Sequence, residues 1–90
     1  MFIIELTYKV PLEKIDAHMK SHVAYLNKYN EAGIFLTWGR KVPRTGGIIL
    51  ATIETKKDAE KIIKEDPFYK NKLADFRIIE FIDRMGISIK

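Results

Sequence analysis

Cysteine is absent from the 90 residues of this chain, which excludes disulfide scaffolds, thiolate nucleophiles and cysteine-based metal centres. No apolar run approaches the about 20 residues that cross a bilayer. The N-terminal Met-Phe-Ile-Ile-Glu carries neither the basic leader nor the small-residue cleavage site of a secretory signal, so a cytoplasmic protein without membrane association is expected. Glycine and proline are few, at five and three, and each therefore marks a boundary. Histidine occurs only twice, as His18 and His22.

What is present suffices for one folded unit, residues 1–90. Apolar residues make up 47% of the chain, with five Phe, four Tyr and one Trp, while two halves would each be too small to bury a useful core. Sixteen Lys and Arg stand against twelve Asp and Glu, a net charge of +4. The cations are dispersed: Lys56, Lys57, Lys61 and Lys64 alternate with Asp58, Glu60 and Glu65, the pattern of a solvated helix. No arginine-rich groove with interleaved aromatics stands out, so nucleic acid is not an expected partner. A small anionic substrate accounts for the positive balance equally well.

Residues 2–10 alternate, with Phe2, Ile4, Leu6, Tyr8 and Val10 on one face of a strand. Pro11 opens a helix that Gly33 closes, and on it Leu12, Ile15, Met19, Val23 and Leu26 share a stripe that includes His22. His18 sits at the edge of that stripe. Residues 34–42 and 47–53 read as a hairpin joined through Pro43 and Gly46, and Thr55 caps a helix running to Lys64 with Ala59, Ile62 and Ile63 on its buried edge. Asp66-Pro67-Phe68 follows, then a turn-like stretch over 69–74, a last strand over 76–83, and a tail from Arg84 to Lys90 that suits an edge strand or a dimer arm. The order β-α-β-β-α-β is that of a ferredoxin-like α+β sandwich, an antiparallel four-stranded sheet with two helices on one face.

Two helices leave the other sheet face open to water, yet that face does not read as polar. The third strand is apolar on both sides, Ile48 and Leu50 against Ile49, Ala51 and Ile53, and the last is nearly so. A homodimer through the sheet face is the expected consequence.

His22 on an apolar stripe is either a core imidazole bonded to a nearby acceptor or a general acid/base. The four-residue spacing of His18 and His22 can place two rings on one metal, but with no cysteine and no third histidine the ligand set is incomplete, and no metal or other cofactor is expected. Asp66 before Pro67 is a good helix N-cap, and it is also an aspartate that the fold can bring to the first helix to orient an imidazole. Trp38, Tyr25 and Phe68 are candidate pocket residues, Tyr25 through its hydroxyl, with hydrophobic packing as the alternative. Arg40 is a carboxylate clamp or an exposed strand end.

These residues carry a resemblance. Ser21-His22-Val-Ala-Tyr-Leu26 leading to Gly33, then Leu36-Thr-Trp-Gly39, Asp58-Ala59 and Asp66-Pro67-Phe68 before a final strand, is similar to the YciI-like (YCII-related) family over residues 1 to 83. The resemblance implies a dimeric α+β barrel with His22 and Asp66 in its pocket. It also implies proton-abstraction chemistry like that of a dehydrochlorinase acting on a chlorinated muconolactone, or of muconolactone isomerases. Arg40 stands where that family commonly has proline, which places a guanidinium where an apolar ring is usual. The expected function is a cofactor-independent lyase or isomerase acting on a small carboxylated or lactone-type substrate; the competing expectation is a non-catalytic dimer that binds a small metabolite.

Overall fold

The structure, a computed structural model, describes residues 1–84. Eight elements follow one another: β1 Phe2–Tyr8, α1 Leu12–Ala17, α2 Met19–Glu31, β2 Phe35–Arg40, β3 Gly46–Ala51, α3 Lys56–Ile63, α4 Pro67–Lys70 and β4 Ala74–Glu80. The strands form one antiparallel sheet in the order β2-β3-β1-β4. This is the ferredoxin-like arrangement expected from the order of elements. Of the tail expected as an edge strand or dimer arm, all beyond Arg84 lies outside the described residues.

β1 is one of the two inner strands, and its buried and part-buried residues alternate along Phe2–Leu6. Phe2, Ile4 and Leu6 are buried beneath the helices, and β1 pairs with β3 on one side and β4 on the other. Ile15, Leu26, Phe35, Ile49, Ala59, Ile63 and Phe68 complete the core. Gly46 is where β3 approaches most tightly. A Cβ there would stand 1.8 Å from the Leu6 carbonyl oxygen.

The single helix expected over residues 11–33 is two helices, interrupted at His18, whose backbone lies at φ −111° and ψ 6°. The cause is local. The His18 ring nitrogen Nδ1 pairs with the Lys14 carbonyl at 3.1 Å, and the His18 N–H donates to Ile15 instead, so the side chain replaces the backbone rung. The expected stripe is corrected accordingly. Ile15 and Leu26 are buried, whereas Leu12 and Val23 are 41% and 37% exposed, and α2 buries His22, Tyr25 and Leu26. The α2 terminus is as expected: Gly33 adopts φ 77°, its N–H donates to Asn30 and that of Ile34 to Tyr29. Thr55 caps α3 through the Asp58 N–H.

β2 departs from simple alternation. Phe35 pairs with Ala51 and Thr37 with Leu50, so Leu36 is an extra residue in the strand. The bulge puts Phe35, Trp38 and Arg40 all on the helix side, opposite Ala51, Ile49 and Gly47. The reverse face carries Ile3, Ile48, Leu50 and Ile79, none of them fully buried.

Gly46→Ala is expected to destabilise the protein by about 3 kcal/mol, because its Cβ meets backbone that cannot step aside. The midpoint of urea unfolding, with an unchanged slope, measures this.

Candidate functional site

Successive turns of α2 are fastened to the corner between α3 and α4. His22 Nδ1 meets Asp66 Oδ1 at 2.8 Å, the Tyr25 hydroxyl donates to the Ile62 carbonyl at 2.8 Å, and the Tyr29 hydroxyl donates to Glu65 at 2.6 Å. Residues 22, 25 and 29 lie on one side of a helix, so a single face makes all three contacts. Lys28 adds an ion pair to Glu65 at 3.3 Å. The Tyr29 hydrogen bond, with Lys28 beside it, holds the Glu65 carboxyl below the usual glutamate range despite some desolvation. Burial, then the bond to Glu65, pushes the Tyr29 hydroxyl up to about 12. Burial also raises Tyr25, which keeps its proton to donate.

Asp66 is completely buried and does two things with one oxygen. Oδ1 accepts the N–H of Phe68 at 2.9 Å, capping α4, and also faces the His22 ring. A carboxylate only accepts, so the imidazole proton sits on Nδ1 and points at Asp66. Oδ2 is buried and has no hydrogen-bond partner among the described residues. The Phe68 ring lies flat against the imidazole, 3.8 Å between centroids and 4° between planes. Ring and carboxylate together leave His22 little freedom of rotation.

His22 is 8% exposed, and that remainder opens on a cavity of about 450 Å³. Nε2 has no hydrogen-bond partner among the described residues, and the ring lines the cavity. With the proton on Nδ1, Nε2 offers a lone pair to whatever occupies the cavity. Met19, Val23 and Leu26 line it from α2, Trp38, Gly39 and Arg40 from β2, and Tyr8, Arg44 and Gly47 from the sheet and the turn before β3. Arg40 is exposed and has no ion-pair partner among the described residues. Arg44 is paired with Asp16 of α1, which strengthens its hold on its proton, and the Tyr8 hydroxyl acts on the same guanidinium.

The structure thus brings together His22, Asp66, Trp38 and Arg40. It places the other two expected pocket residues elsewhere. Tyr25 gives its hydroxyl to Ile62, and Phe68 is fully buried beneath the imidazole as its support. His18 does not line the cavity, and no group of three or more His, Asp or Glu able to hold a metal occurs among the described residues. Tyr8 and Arg44 are the residues that sequence reasoning missed. Tyr8 reads as one more inward strand position; Arg44, a polar residue in a turn, is brought in by the hydrogen bond from the Tyr8 N–H to the Thr45 carbonyl at 2.9 Å.

The sequence matches the family model of the YCII-related domain over residues 1–82. Among curated proteins none matches it. The fold is similar to that of 5-chloro-2-hydroxyhydroquinone dehydrochlorinase from Burkholderia phenoliruptrix AC1100, solved in complex with 2,5-dihydroxybenzoquinone, at a TM-score of 0.76 and 17% identity. That likeness covers 91% of this chain and 94% of the other.

Asp66→Ala removes a cap and the partner of a buried ring, and is expected to cost about 2–4 kcal/mol. Asp66→Asn keeps an oxygen for the Phe68 N–H and should cost less. Denaturant unfolding of the two variants ranks them.

Proposed function

The chain belongs to the YCII-related domain family, and from that premise we propose that it is a small homodimeric enzyme working without a cofactor. Its reaction is proton abstraction α to a carbonyl or lactone, leading to elimination or isomerisation. The observation that supports this best is the asymmetry of His22: Nδ1 is held by a buried carboxylate while Nε2 opens on the cavity. Capping of α4 accounts for Asp66 facing the Phe68 N–H. It does not account for an oriented imidazole with a free nitrogen beside empty space.

In the proposed step a substrate C–H gives its proton to His22 Nε2. The bonding pair becomes the C=C of an enolate and the carbonyl π pair moves onto oxygen. Asp66, itself fully buried, stabilises the imidazolium so formed. In an elimination a leaving group on the neighbouring carbon then departs with its electron pair; in an isomerisation the imidazolium returns its proton to another carbon. Arg40, without an ion-pair partner among the described residues, pairs with an anionic group of the substrate. Trp38 supplies an apolar wall that fits a flat ring. The named substrate of the structural neighbour, a chlorinated hydroxyhydroquinone, is likewise small, ring-shaped and oxygen-rich.

The dimer forms through the sheet face opposite the helices. Ile3, Ile48, Leu50 and Ile79 make that face apolar, and a second copy of it is the self-complementary partner. Glu5, Lys41 and Arg77 form an ion-paired group at one end of it.

Turnover of chlorinated hydroxyhydroquinones and muconolactones, followed by halide release and by deuterium uptake from D2O, tests the reading. His22→Ala should lower the rate about 10²–10⁴-fold with fold and dimer intact. Unchanged turnover would place the chemistry elsewhere, and binding by the wild type without any proton exchange would make the chain a metabolite-binding module. Ile79→Lys should convert the dimer to monomer in sedimentation velocity; an undisturbed dimer would move the interface to another surface.

A further inference from the structure

A base that makes an enolate leaves a negative charge on oxygen, and the site needs a donor for it. Arg40 is one candidate, but it is exposed at the rim. Tyr8 is held far more tightly. Its ring meets Phe68 edge-on, 6.0 Å between centroids and 84° between planes, and Phe68 is the ring on which His22 lies flat. One buried side chain therefore sets the angle between Tyr8 and the base.

The backbone fixes the other end. The N–H of Tyr8 donates to the Thr45 carbonyl at 2.9 Å, and the next residue, Lys9, donates to Leu73 at 3.0 Å. The first of these bonds fastens the turn that carries Arg44 to the end of β1. Asp16 holds the Arg44 guanidinium from α1, and Arg44 and Tyr8 line the same cavity. The Tyr8 phenol lines the cavity beside His22, and its O–H is a neutral donor that can point into it.

We propose that Tyr8, positioned by Phe68 and by its backbone bond to Thr45, donates the hydrogen bond to the oxyanion formed when His22 removes the substrate proton, while Arg40 takes a separate anionic group. The inference rests on the base role of His22. It deepens that role by defining the substrate class: a planar ring acid with one enolisable oxygen for Tyr8 and a second anionic group for Arg40. As the C–H bond breaks and the N–H bond at Nε2 forms, Tyr8 keeps its own proton and only shares it with the oxygen that gains charge. The charge of Arg44 is already committed to Asp16, so the donor to the oxyanion is a neutral phenol, which suits a delocalised enolate better than a compact carboxylate.

The probe is 4-nitrophenolate, a flat oxyanion with no proton for His22 to take, titrated into the full-length protein and read by its visible absorption. The wild type should bind it in preference to 4-nitroanisole, which has the same ring and no oxyanion. Tyr8→Phe should weaken phenolate binding about 10-fold, leave 4-nitroanisole unaffected and keep the circular dichroism of the wild type. On a responsive substrate Tyr8→Phe should lower kcat about 10²-fold with KM little changed. Phenolate binding that is equal in Tyr8→Phe and wild type, or no wild-type preference for phenolate over 4-nitroanisole, overturns the proposal. His22→Gln separates the two readings: it should retain the phenolate and lose turnover, so a failed base shows in turnover and a failed oxyanion donor in phenolate binding.

Discussion

A carboxylate cut off from water has to be answered by donors placed around it, and at Asp66 two donors converge on a single oxygen. The Phe68 N–H comes from the start of α4 and the His22 N–H from the middle of α2, so this one oxygen joins elements 44 residues apart in sequence. The second oxygen is buried and unpaired among the described residues. That arrangement is costly for stability alone, since replacing a buried polar network with apolar side chains of similar shape is often neutral or better. Its use is orientation. The imidazole is held edge-on by Asp66 and face-on by Phe68, and both constraints come from the same turn of chain.

The rest of the contact between α2 and the α3–α4 corner supports that alignment. Tyr25 reaches Ile62 and Tyr29 reaches Glu65, so hydroxyls at the core boundary fasten the helix to the four residues preceding Asp66. Neither hydroxyl lines the cavity. They act through geometry: a shift of α2 along its axis would break three hydrogen bonds together. The interruption at His18 has a matching effect at the other end of α2, because α1 is free to turn and place Asp16 against Arg44.

The cavity exists because two helical turns and a bulged strand do not close over one another. Met19, Val23 and Leu26 present apolar surface from α2, and the extra residue at Leu36 turns Trp38 and Arg40 toward the same space. A strand without the bulge would have sent Thr37 and Gly39 there instead. The opposite face of the sheet is apolar for a different reason, namely that its strands bear aliphatic residues on both sides. One sheet thus presents the cavity on its helix side and an apolar surface on the other.

The β-α-β-β-α-β order, the first strand, the caps at Thr55, Asp66 and Gly33 and the apolar second face were legible in the sequence. Each depends on residues within a few positions of one another or on a period of two. The Asp-Pro-Phe stretch and the lone histidine on an apolar stripe could be singled out in the same way. Their meeting could not be measured there, because a 2.8 Å contact across 44 residues is set by how helices pack on the sheet. The same physics moved Tyr25 out of the pocket and Phe68 beneath the ring. It also brought in Tyr8 and Arg44, whose neighbourhood rests on a backbone hydrogen bond between a strand end and a turn. Local chemistry, then, determined which segments form and where they stop. Tertiary packing alone decided which side chains share the cavity, because a bulge, a helix break and a buried carboxylate act across elements that no periodicity connects.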